Sequence, residues 1–118
     1  MQFTLDIDDL GRFVGRIADA DMEATVTASN VPAAGHDLLG ALADAEAGGD
    51  GECTWEEQGG DYRWMFKRVG DRLTVAVMWS SGTIMGWRHV FRTEGAFDDL
   101  ARPLRDELAR LGIAGPPA

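Results

Sequence analysis

The sequence predicts an α+β domain, an antiparallel sheet meander of about five to six strands with two helices in the order β-β-α-β-β-β-β-α. Three observations predict it. Several short segments alternate apolar and polar residues with the period of two that marks a strand with one buried face. Glycine-bearing turns separate these segments at short intervals, as antiparallel neighbours require. Two longer segments, at about 33–47 and 96–111, change to helical spacing and supply apolar stripes to lie on the sheet.

The segment Asp61–Ser80, DYRWMFKRVGDRLTVAVMWS, carries the clearest pattern. Tyr62, Trp64 and Phe66 alternate with Arg63 and Lys67, and Leu73, Val75, Val77 and Trp79 resume the alternation after Val69-Gly70-Asp71-Arg72. Gly70 suits the positive φ of a hairpin turn, so this stretch reads as a central hairpin. Upstream, Phe3, Leu5 and Ile7 share one face of a first strand that ends at Leu10-Gly11-Arg12. Phe13–Ala18 reads as a short return strand or a loop. Met22–Ser29 alternates again and is expected antiparallel to the first strand.

From Pro32 the period becomes helical, with Leu38, Leu39, Leu42 and Ala45 on one side and Gly48-Gly49 ending the helix. Glu52–Glu57 is a short strand with Cys53 and Trp55 inward. Gly86–Thr93 is a further strand with Trp87, His89 and Phe91 on one face. The last helix carries Phe97, Leu100, Leu104, Leu108 and Leu111, with Pro103 inside it as either a kink or the end of an early turn. Gly112 stops it. Residues 1–112 form one domain, and 113–118 are expected to be a flexible tail.

Charge is the most informative bulk property. The 118-residue chain has a net charge of −9, unevenly spread. Residues 1–61 hold 14 acidic groups against Arg12 and Arg16, a net of −12, whereas residues 62–118 hold 6 acidic and 9 basic groups, a net of +3. Nucleic acid is disfavoured as a direct ligand, because affinity there comes mainly from neutralising phosphates. A basic protein partner is favoured, since opposite potentials steer and hold such complexes. Asp6, Asp8, Asp9, Asp19, Asp21 and Glu23 form one acidic patch if the first strands pair, joined by Glu56, Glu57 and Asp61. No apolar run approaches the ~20 residues that span a bilayer, and the acidic N-terminus lacks the pattern of a signal peptide. The expectation is a cytoplasmic protein without a membrane partner.

Catalytic signals are missing. Cys53 is alone, which leaves no internal disulfide and no cysteine metal cluster. His36 and His89 have no ligand spacing between them. Glu56 and Glu57 are adjacent strand residues that point to opposite faces, so they do not pair for acid–base work. Asp19-Ala20-Asp21-Met22-Glu23 begins like a calcium loop, but Ala24 and Asn30 stand where glycine and glutamate are needed. No phosphate-binding loop or serine-hydrolase elbow is present, so neither a cofactor nor a metal is expected.

Two apolar features are left to assign. Trp55, Trp64, Trp79 and Trp87 share the inward parity of their strands and, with Tyr62, His89 and Phe91, form an aromatic core, a ligand pocket, or partner-binding anchors at the sheet edge. The opposite face carries Met65, Met78, Val90 and Ala76 among Arg63, Lys67, Arg88 and Arg92, the mixture of either a partly covered sheet surface or a self-association face that would make a homodimer.

The stretch GECTWEEQGGDYRWMFKRVGDRLTVAVMWSSG at positions 51–82, preceded by the leucine-bearing helix at Asp37–Ala45, resembles the small acidic α+β immunity proteins of bacterial polymorphic toxin systems. That resemblance implies a non-enzymatic protein that blocks a toxin domain by presenting acidic groups to a basic site. It carries over no individual residue. The leading expectation is therefore an inhibitory module whose acidic N-terminal half docks a basic protein. The alternatives are a small-molecule-binding domain with an aromatic-lined pocket and an oligomeric accessory protein.

Overall fold

The computed structural model describes residues 1–20, 22–29, 31–82 and 86–113. Seven strands and two helices follow in the order β-β-β-α-β-β-β-β-α. β1 (Gln2–Ile7), β2 (Phe13–Asp19) and β3 (Met22–Ala28) form one antiparallel sheet in that order. β4 (Asp50–Glu57), β5 (Gly60–Val69), β6 (Arg72–Ser80) and β7 (Arg88–Ala96) form a second. Helix α1 (Val31–Glu46) connects the sheets, and α2 (Phe97–Arg110) follows the last strand. The predicted class is correct. The single meander is replaced by two sheets, and the strand count rises to seven.

The extra strand explains a second difference. Phe13–Asp19 is a full strand that pairs with both β1 and β3, so β3 runs parallel to β1 with β2 between them. Gly15 occupies an inward position of β2, with Phe3 and Val26 packed over it. A glycine in that place weakens the strand pattern without breaking the strand.

The sheets pack through their inner faces. Phe3 of β1 meets Trp64 of β5 edge-on at 5.8 Å between ring centroids, and Phe13 of β2 meets Trp55 of β4 at 5.9 Å. Trp55 and Trp64 touch at 5.2 Å, and both are fully buried. The Trp55 indole N–H donates to the Ala34 carbonyl of α1 at 3.1 Å, which fixes the helix against the same ring. The N–H and hydroxyl of Ser29 both donate to the Glu56 carbonyl, joining the end of β3 to the end of β4.

Both helices lie on the inner side of the larger sheet. Leu38, Leu42 and Ala45 of α1 and Leu100, Leu104 and Leu108 of α2 are buried in the common core. α2 runs without interruption through Pro103, although the proline leaves one carbonyl of the preceding turn without its helical N–H. Its end is a Schellman motif: Gly112 N–H donates to Ala109 O and Ile113 N–H to Leu108 O. Ile113 then packs against the core and lies over Gly35 of α1. Residue 113, the first of the expected tail, is thus packed, and residues 114–118 lie outside the described part. Among the described residues, no helix is long and apolar enough to cross a membrane.

Basic residues of the second half bind the first half. Arg68 of β5 donates to the Ala45 and Glu46 carbonyls at the end of α1 and lies over the Phe97 ring of α2 at 4.3 Å. Cations at a helix C-terminus favour its carbonyl dipoles. Arg110 of α2 donates to the Leu5 carbonyl and lies 3.6 Å from Asp6, and Arg105 pairs with Glu46.

Gly51 marks the closest approach of α1 to β4. A Cβ there would stand 2.0 Å from the Ala41 carbonyl oxygen, which is backbone and has nowhere to go. Gly51→Val is expected to lower stability by about 3 kcal/mol or more through overpacking. Gly40→Ala, at an exposed helical site with open space, is expected to raise it by about 0.5–1 kcal/mol. Urea unfolding of the two variants checks both signs.

Candidate functional site

The predicted acidic patch divides in two. The β1–β2 turn, the end of β3, the start of α1, the β4–β5 turn and the end of β6 share one end of the domain, because successive elements run back and forth along it. That end holds Asp8, Asp9, Glu56, Glu57 and Asp61. Asp19 and Glu23 flank the β2–β3 turn at the opposite end, where Asp19 accepts the Thr93 hydroxyl and lies 3.8 Å from the Met1 amino group. Asp6 faces outward on β1 between Arg16 and Arg110. Asp21 lies outside the described residues.

The acids differ in whether they already have a counter-charge. Asp8 accepts the N–H groups of Arg12 and Leu10 and pairs with the Arg12 guanidinium. These bonds, the Arg12 N–H first, hold its carboxyl below the usual carboxylate range. Glu57, with a side chain only 10% exposed, accepts the Thr27 hydroxyl and lies 3.6 Å from the Arg12 guanidinium. These two carboxylates act within the molecule, tying the β1–β2 turn to β3 and β4.

A separate set has no ion-pair partner among the described residues. Asp37 and Glu56 line a shallow cleft of about 100 Å³ between α1 and β4, with Ala33, Ala34 and Thr54. Glu56 stands opposite Asp61 in the β4–β5 register, and Glu52 is exposed two positions further along the same face. Sequence reasoning included Glu56 and Asp61 but missed Asp37 and Glu52. Asp37 sits three residues after Ala34, on the exposed side of the turn that Trp55 anchors. Only the tertiary packing of α1 on β4 brings it beside Glu56.

The aromatic set also divides. Trp55 and Trp64 are core residues whose rings are in direct contact, leaving no space between them for a ligand. The rings of Tyr62 and Trp79 lie 4.6 Å apart, tilted by 52°, at the acidic end of the inner face and are only partly buried. Trp87 and His89 depart from the predicted parity. The β6–β7 register shifts at Val77/Met78: Val77 pairs with Phe91 and Met78 with His89, leaving Val90 as an extra residue. A one-residue bulge moves every side chain before it to the other face. His89 is thus exposed opposite Met78, and Trp87, 40% exposed, receives the Arg63 guanidinium over its ring at 4.4 Å. The same bulge places Arg88 opposite Trp79 and packs Val90 against the core, which removes both from the Met65/Met78 face.

The site thus combines uncompensated carboxylates with partly exposed aromatic rings, and Arg63 and Arg88 stand between them. Among the described residues, no group of three His, Cys, Asp or Glu side chains is placed to hold a metal ion. Cys53 is a half-buried thiol pushed up to about 12 by burial first, then by Asp37 and Glu52, and it stays protonated across the physiological range. Comparison with known protein families, with curated proteins and with solved structures finds no match for this chain.

Tyr62 offers a direct optical reading of this end, because it is the sole tyrosine. Burial, then the Glu57 carboxylate, raises its phenol above the ordinary tyrosine range, with Arg88 opposing. Its neutral form is favoured in the folded protein, so its stabilising contribution is present below the unfolded pKa and lost as pH rises through the folded one. Alkaline titration of phenolate absorbance is expected to give a midpoint above that of the urea-unfolded chain, and Glu57→Gln is expected to bring the two closer.

Proposed function

We propose that the protein is a non-enzymatic binding module of the immunity type, which docks a basic protein surface through the acidic end of the domain. The observation that carries this reading is the set Asp37, Glu56 and Asp61, free of intramolecular cations among the described residues and adjacent to Tyr62, Trp79 and Trp87. Interfaces draw most of their energy from a few aromatic and Arg anchors, while complementary charge sets encounter rate and partner choice. This end of the domain supplies both. Of the acids expected from the first strands, Asp8 pairs with Arg12, Asp6 with Arg16 and Arg110, and Asp19 with the Met1 amino group, whereas Asp9 and Glu23 have no ion-pair partner among the described residues. This reading centres the docking surface on the α1–β4 flank and the β4–β5 turn.

Affinity capture from a lysate of the source organism tests the reading. The wild-type chain is expected to retain a basic protein at about 0.05 M salt and to release it at about 0.5 M. Glu56→Lys with Asp61→Lys is expected to weaken that complex at least about tenfold, whereas Asp44→Lys, an exposed reversal elsewhere on α1, leaves it nearly unchanged. Retention of the same partner by the double variant, or affinity indifferent to salt, contradicts the assignment.

A further inference from the structure

The outer face of the four-stranded sheet is covered by neither helix, and its residues fall into registered rows. One row reads Glu52, Met65, Ala76, Arg92 from β4 to β7. The next reads Thr54, Arg63, Met78, His89. Met65, Ala76 and Met78 are half-buried at the centre, while Glu52 and Arg92 are exposed at opposite edges. The row therefore has an acid at one end, a base at the other and apolar groups between.

We infer that this face joins two copies of the chain into a symmetric dimer, independently of any other partner. Two sheets stacked face to face by a two-fold axis lying between them, parallel to the strands, bring β4 of one copy over β7 of the other and β5 over β6. Rows then meet rows. Glu52 faces the second copy's Arg92 twice over, and Met65 faces Ala76 across the axis. Aligned sheets pack about 10 Å apart with strands inclined by about 30°, a separation that these side chains span.

Charge complementarity is what selects a second copy as occupant. The chain carries −9 overall, so most orientations of two copies repel. On this face Arg63, Lys67, Arg72 and Arg92 nearly balance the carboxylates of β4 and β7. The like-charged meeting along these rows is Asp50 with Glu94, made twice by the same symmetry, and Glu94 already lies 3.4 Å from Arg72 and 3.8 Å from Arg92.

Sedimentation equilibrium at about 100 µM tests the proposal in the range where moderate dimers form. The wild-type chain is expected to sediment as a dimer. Glu52→Arg alone and Arg92→Glu alone each set like charges against each other twice and are expected to weaken association at least about tenfold. An equimolar mixture of the two variants restores both opposite-charge contacts and is expected to return the dimer. Both sites are exposed, so the variants are expected to keep the fold, which circular dichroism checks. A monomeric wild-type mass, dimers unaffected by either substitution, or a mixture that stays monomeric would each overturn the proposal.

Discussion

The Trp55 ring is where the parts of this fold meet. It touches Phe13 of the three-stranded sheet and Trp64 of the four-stranded one, and its N–H is bonded to the Ala34 carbonyl of α1. Burial of an aromatic side chain contributes roughly 1.5–3 kcal/mol, each favourable ring pair about 0.5–1.5 more, and a hydrogen bond about 1. Those magnitudes are comparable with the whole net stability of a small domain. Because Trp55 holds α1 in place, it also determines that Asp37 stands beside Glu56. The candidate site is a consequence of the core.

Charge is distributed by the same packing. An acidic first half and a basic second half look, in sequence, like two surfaces for two partners. Folding brings them together: Arg110 reaches Leu5 and Asp6, Arg105 reaches Glu46, and Arg68 closes the C-terminus of α1. Exposed pairs of this kind are worth little individually, about 0–1 kcal/mol. Their larger effect is to decide which carboxylates remain uncompensated. Asp6, Asp8, Glu46 and Glu57 are neutralised in this way, whereas Asp37, Glu52, Glu56 and Asp61 have no ion-pair partner among the described residues.

Much of this was legible in the residues, and the failures have identifiable causes. The central hairpin formed with Gly70 at φ +59 in its turn, and Tyr62, Trp64 and Phe66 face the same way as Leu73, Val75 and Val77, because alternation and turn chemistry agree there. The apolar stripe of α2 likewise reported its buried face. The division into two sheets was not legible, since periodicity specifies a strand's faces and not its neighbours. The bulge at Val90 was invisible for a related reason. One extra residue preserves the apolar alternation on either side while reversing the sense of Trp87 and His89. The pairing of Arg12 with Glu57 depends on a separation of 45 positions that no local pattern encodes.

With Trp55 in contact with both sheets and bonded to α1, these parts are expected to open as one cooperative unit. Native-state amide hydrogen exchange in low urea tests this most directly, because it reads the opening free energy of each strand separately. The amides of Ile17 and Val26 in one sheet are predicted to share an opening free energy with those of Trp64 and Val75 in the other, and Trp55→Phe is predicted to lower both sets by the same amount. A three-stranded sheet that opens well below the four-stranded one, with Trp55→Phe affecting only one of them, would contradict it.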